Sequence, residues 1–204
     1  MWNIPNLLTL LRIGLIPVFA VVFYAHAPWA RPVAAAIFAA AAITDWLDGH
    51  LARRWEQTSP LGAFLDPVAD KLMVAGALVF LVQVDPHPSL ALACAVIIGR
   101  EITVSALREW MAEIGARSQV AVSWTGKVKT AVQMVAITLL ILRDDLFGLP
   151  LYELGMVLLY AAAALTLWSM FLYLRAAWPS LSALDQRRDG QQVAHLRSSR
   201  TATS

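Results

Sequence analysis

Long apolar runs separated by short polar links occupy nearly the whole chain, at roughly 7–24, 32–47, 69–84, 89–107, 121–142 and 151–174. An α-helix needs about 20 predominantly apolar residues to cross about 30 Å of hydrocarbon, and six runs near that length leave no room for a second soluble domain. The pattern predicts an all-α, polytopic membrane protein with six transmembrane helices. No collagen, coiled-coil or solenoid period is present, and only the stretch after Pro179 has the polar, small-residue composition of disorder. The expected organisation is a transmembrane domain over 1–178 and a disordered cytoplasmic tail over 179–204.

Composition agrees with the pattern. Hydrophobic residues make up 59% of the 204 and charged residues only 15%, against about 45–50% and about 25% in an average soluble domain. That balance excludes a disordered chain, a disulfide-rich secreted domain and a nucleic-acid-binding domain. The single cysteine, Cys94, excludes an intramolecular disulfide and sits in an apolar run, where packing is its expected role. Ala25-His26-Ala27 looks like a signal-peptide cleavage site, but no basic segment precedes the first run and Arg12 interrupts it, so that run is expected to stay as a span.

The basic residues orient the spans. With both termini in the cytoplasm, one side collects Arg12, Arg53, Arg54, Lys71, Arg100, Arg108, Arg117, Lys127, Lys129, Arg175, Arg187, Arg188, Arg197 and Arg200, whereas the other keeps Arg31 and Arg143. By the positive-inside rule both termini face the cytoplasm. Trp2, Trp29, Trp46, Trp55, Trp168 and Trp178 fall near span boundaries, where amphipathic rings suit the headgroup region.

Against this sparse background the stretch from Asp45 to Lys71 is dense in acids. Asp45 and Asp48 are spaced i, i+3, and Asp66 and Asp70 i, i+4, so on helices each pair shares one face. A short cytoplasmic turn joins the two helices, which brings four carboxylates together near the inner membrane surface. Four anions at that depth repel one another and are costly to desolvate, so they require cations or protons. Hard divalent ions prefer oxygen ligands, and paired carboxylates hold two of them about 4 Å apart. Such a site binds phosphate and orients a hydroxyl for in-line attack. Gly49, Ala52 and Gly62 allow either close helix packing, a cap or a ligand against the backbone. Arg53 serves either as a phosphate ligand or as an ordinary positive-inside residue. His50 is assigned no role.

Asp45-x2-Asp48-Gly49-x2-Ala52-Arg53-x8-Gly62-x3-Asp66-x3-Asp70 resembles the complete signature of the CDP-alcohol phosphatidyltransferases. The resemblance implies a six-helix transmembrane fold, usually homodimeric, around a polar cavity open to the cytoplasm. It also implies transfer of a phosphatidyl group from a CDP-linked lipid to an alcohol, with release of CMP. By motif position, Asp45, Asp48 and Asp66 would be metal ligands, and Asp70 both a ligand and the base that accepts the alcohol's proton. Two Mg²⁺ or Mn²⁺ ions are implied as cofactors. Gly49, Ala52, Arg53 and Gly62 would line the CDP site.

The acceptor must be read from the remaining charges. Arg100 and Glu101 interrupt an apolar run, Ser105, Arg108 and Glu109 follow at helical spacings, and Lys127 and Lys129 begin the fifth run. Charges inside spans point into a cavity rather than at lipid. Arg100, Arg108, Lys127 and Lys129 are therefore candidates to hold an acceptor's own phosphate, which favours glycerol 3-phosphate. Segments from Asn3-Ile4-Pro5 through Phe64–Lys71 and Ser105–Ala112 to Ala121–Thr130 resemble the proteobacterial members of the family that use this acceptor, over about residues 2 to 174. That likeness implies CDP-diacylglycerol as donor and the bacterial inner membrane as location. Serine, inositol phosphate or phosphatidylglycerol as acceptor are the alternatives. A transporter would spread its charges along a route across the membrane, whereas these crowd at one face.

Overall fold

In hydrocarbon the backbone has no water to satisfy its N–H and C=O groups, so a spanning apolar run must bond to itself as a helix. The structure, a computed structural model, describes the backbone of residues 4–55, 60–115, 124–144 and 148–201 and the side chains of 7, 9–44, 65, 68–115, 128–144 and 148–177. Among the described residues there are six helices and no strand: α1 (Ile4–Phe23), α2 (Ala30–Trp55), α3 (Pro60–Val84), α4 (Pro88–Glu113), α5 (Trp124–Leu142) and α6 (Leu151–Thr201). One helix falls on each predicted run. Two stretches, Pro88–Glu113 and Leu151–Ala177, have the length and hydropathy to cross a membrane, and Thr9–Phe23, Ala30–Thr44 and Val128–Leu142 are shorter apolar segments.

Most of the helices outrun their apolar stretches. α2 continues past residue 47 to Trp55, α3 starts at Pro60 rather than 69, and α4 continues past 107 to Glu113. α6 runs on through the polar segment after Pro179 to Thr201, so the backbone there is helical where composition gives disorder. Hydropathy marks the greasy length of a helix, whereas its hydrogen-bonded length continues wherever polar residues keep the i→i−4 ladder.

α1 packs on α2 and α3, α2 on α5, α5 on α6, and α4 on α6, with lighter contact between α3 and α4. The main core joins Phe19, Phe38, Ala34, Ala41, Ala77, Leu78, Ile97, Ile137 and Leu159. Alanines at these contacts let helices approach closely. At Gly155 the approach is close, because a Cβ there would lie 2.9 Å from Leu140 Cγ and 3.2 Å from Leu139 Cβ. A second small cluster, Val104, Met111, Tyr173 and Ala177, joins α4 to α6.

The ends of the bundle differ. The α1–α2, α3–α4 and α5–α6 turns share one end, where Arg31 lies 4.0 Å from Asp144, Tyr24 donates to Gln83 and Tyr152 donates to Asp85. Arg143 adopts φ 60° and places its guanidinium 5.3 Å from the Tyr152 ring centre. Of the two basic residues expected on this side, Arg31 has an acid beside it and Arg143 an aromatic ring. Among the described residues Val21, Leu92, Ile102, Val157, Trp168 and Phe171 are exposed, large apolar side chains of the kind that a water-soluble monomer seldom exposes in large patches.

Candidate active site

The backbones of α2 and α3 carry the motif positions in helical register: Asp45, Asp48, Gly49, Ala52 and Arg53 on α2, and Gly62, Asp66 and Asp70 on α3. Only Asp70 among them has a described side chain. The side chains of Asp45, Asp48, Arg53, Asp66 and Ala52, with Gly49 and Gly62, lie outside the described residues, as does that of Lys127 on α5.

Asp70 is half-buried where two cavities meet. On one side is a small space of about 10 Å³ lined by Arg12, Phe38, Ala41, Ala42, Met73, Val74 and Met134, at the junction of α1, α2, α3 and α5. On the other, a pocket of about 210 Å³ opens between α3, α4 and α5. Its polar lining is Asp70, Lys71, Glu101, Thr130 and Gln133, and Ile97, Ile98, Ile102 and Met134 supply much of its apolar wall. Helical spacing explains the arrangement. Val74 follows Asp70, and Ile97 and Ile98 precede Glu101, by about one turn, so each helix changes from polar to apolar at the same depth.

Behind the polar lining lies a buried ion cluster. Arg100 is 8% exposed and Lys129 only 2%. Arg100 Nη1 donates to Glu101 Oε1 at 3.0 Å, and Lys129 Nζ donates to the same oxygen. Arg100 Nη2 donates to Ser169 Oγ at 2.9 Å, which in turn donates to the Thr166 carbonyl at 2.9 Å. The guanidinium also lies 5.7 Å from the centre of the Tyr173 ring, a cation–π distance. α4, α5 and α6 are thereby joined through charges that would be costly to bury singly. The cluster carries two cations and one anion, an excess of one positive charge behind the wall that bears Asp70.

The four basic candidates therefore separate. Lys129 and Arg100 are held behind the pocket, with Arg100 turned towards α6. Arg108 is exposed near the end of α4 and lines none of the cavities around Asp70. Glu101 is the member of the ion cluster that reaches the pocket, its side chain 27% exposed. Ser169, Tyr173 and Gln133 have no role that the sequence makes evident. Polar residues at i, i+3 within the apolar run of α6, Thr166 and Ser169, were a readable sign of a buried partner. Arg12 was readable too, since a charge inside α1 that ends fully buried must meet polar groups inside the bundle.

The match to known proteins covers the same region: the description of the CDP-alcohol phosphatidyltransferase family fits residues 2–168. The chain belongs to this family. Among CDP-alcohol phosphatidyltransferases it is similar to a protein of Pectobacterium atrosepticum named CDP-diacylglycerol–glycerol-3-phosphate 3-phosphatidyltransferase, with 56% identity over 176 residues, 86% of this chain and 95% of that protein. Proteins of the same name from Salmonella paratyphi A and Yersinia pestis are 55% and 56% identical over 185 and 179 residues. Those alignments cover 91% and 88% of this chain and 99% and 97% of the relatives. For a CDP-alcohol phosphatidyltransferase, oxygen-only donors such as the Asp70 carboxylate, half-buried beside a pocket, suit a hard divalent cation rather than a thiolate-seeking one.

Proposed function

We propose that the chain transfers the phosphatidyl group of CDP-diacylglycerol to glycerol 3-phosphate, giving phosphatidylglycerophosphate and CMP. The reading is carried by 55–56% identity, along nearly the full length of both chains, to relatives bearing that activity in their names. The pocket beside Asp70 joins polar groups to an apolar wall, which suits a reaction between a polar acceptor and a lipid-linked donor.

In this reading the six helices cross the bacterial inner membrane with both termini in the cytoplasm, and the protein acts as a homodimer. Asp45, Asp48, Asp66 and Asp70 would hold two Mg²⁺ or Mn²⁺ ions. When bound, these would neutralise the donor's pyrophosphate and the charge growing on departing CMP. Gly49, Ala52 and Gly62 let the cytidine diphosphate lie close to the helix backbones, and Arg53 donates to a phosphate oxygen. Lys127 is the candidate for the acceptor's phosphate, since Arg108 lies away from the cavities around Asp70, while Arg100 and Lys129 balance the carboxylates from behind the pocket. Asp70 takes the proton of the primary hydroxyl. That oxygen bonds to the phosphorus bearing diacylglycerol as the phosphorus–oxygen bond to CMP breaks. No covalent phosphatidyl-enzyme is needed.

The test is purified protein in nanodiscs with CDP-diacylglycerol and labelled glycerol 3-phosphate, serine, inositol phosphate or phosphatidylglycerol. CMP release is expected with glycerol 3-phosphate alone, abolished by a chelator and restored by Mg²⁺ or Mn²⁺. Equal or better use of another alcohol defeats the acceptor assignment, and full activity in chelator defeats the metal assignment.

A further inference from the structure

The Glu101 carboxylate is used unevenly. Both cations that hold it, Arg100 and Lys129, donate to Oε1. No hydrogen bond reaches Oε2 from the described residues. The side chain nevertheless lines the same pocket as Asp70 and keeps 27% of its surface open. Two buried cations on one oxygen fix the carboxylate in orientation, and among the described residues its second oxygen has no donor, in a pocket that Lys71 also lines. An anionic oxygen so placed repels a phosphate and seeks an O–H or N–H donor.

Resting on the activity proposed above, we infer that Glu101 Oε2 receives the secondary hydroxyl of glycerol 3-phosphate and makes the enzyme selective for an acceptor bearing one. Two hydroxyls of one three-carbon molecule would then meet two carboxylates of one pocket, the primary at Asp70 on α3 and the secondary at Glu101 on α4. The acceptor's phosphate lies away from Glu101. A hydroxyl bound at only one point swings about it, whereas held at both it presents the primary oxygen in one direction. Arg100 and Lys129 are positioning residues in this arrangement. They fix Glu101 and touch no substrate.

The experiment compares kcat/KM for glycerol 3-phosphate with that for 3-hydroxypropyl phosphate, which keeps the phosphate and primary hydroxyl but lacks the secondary one. A hydrogen bond to a charged group contributes about 1.5–3 kcal/mol, so wild-type protein is expected to prefer glycerol 3-phosphate by roughly 10- to 100-fold. In Glu101→Gln the preference is expected to fall to within about threefold, and Glu101→Asp, which keeps the charge among the cations but withdraws the oxygen, is expected to lower it as well. A purely structural role for Glu101 would depress both substrates alike and leave the ratio unchanged, which overturns the inference. Equal use of the two by wild-type protein overturns it with no variant needed, while leaving the proposed activity intact. No turnover with glycerol 3-phosphate removes that activity and this inference together.

Discussion

Asp70 stands where two cavities meet, with Arg12 lining one and Glu101 the other. Replacing it with Asn keeps the volume and removes the negative charge and the proton acceptor. Because Asp70 is proposed both to bind metal and to take the proton, Asp70→Asn is expected to insert normally while turnover falls by about 10²- to 10⁴-fold. The check is CMP release normalised to protein in the membrane fraction, and near-wild-type turnover sinks the assignment. The residue scale is also where sequence reading was least complete. The motif spacing singles out Asp70, and the charges Arg100, Glu101 and Lys129 stand out in their apolar runs because charge is scarce. Which of those charges meets a substrate was not legible. That depends on the rotation of α4 and α5 about their axes, which turns Arg100 towards Ser169 of α6 and Glu101 towards α3. One residue of separation on a helix is about 100° of rotation, and packing with α6 decides which neighbour faces inward.

Among the elements, the six helices were legible as apolar runs, but their ends were not. Polar residues extend α2 to Trp55 and begin α3 at Pro60, so the motif from Asp48 to Asp66 occupies parts of those helices that hydropathy misses, with Asp45 and Asp70 just inside the apolar runs. A site that must meet both lipid and a water-soluble acceptor sits at such polar ends. The α5–α6 contact makes a sharper demand on sequence than burial alone. Gly155 leaves no room for a Cβ against Leu140 and Leu139, and nothing in the sequence distinguished it from other glycines in apolar runs. Gly155→Leu is expected to force α5 and α6 apart and destabilise the protein by about 1–3 kcal/mol, seen as a lower thermal unfolding midpoint in detergent. Gly155→Ala should lie between, since the Leu140 side chain can yield but the Leu139 Cβ yields less. An unchanged midpoint for Gly155→Leu would mean that the helices do not approach this closely.

For the whole molecule, the two ends of the bundle carry the topology. His26 is exposed at the end that holds the α1–α2 turn, and Glu113 is exposed at the far end of α4. In intact cells, His26→Cys is expected to react with a membrane-impermeant thiol reagent, and Glu113→Cys only after the inner membrane is breached. Cys94 is buried and should give little background. The opposite labelling pattern would invert the proposed orientation. The basic residues set the expected sign of this arrangement, which the labelling tests. The pairing of Arg31 with Asp144 and of Tyr152 with Asp85 across the turns was not visible there, because the partners come from distant parts of the chain.

In the proposed placement the exposed Val21, Leu92, Val157 and Phe171 have the bilayer, rather than water, as their solvent. Under the proposed activity its two substrates are therefore counted in different units. The nucleotide-linked lipid is a solute of the same two-dimensional film, and its availability is a mole fraction among neighbouring lipids. The acceptor arrives from three dimensions at an ordinary molar concentration. Diluting the membrane with inert phospholipid should then slow the reaction at constant bulk lipid donor, whereas diluting the surrounding buffer at saturating acceptor should not.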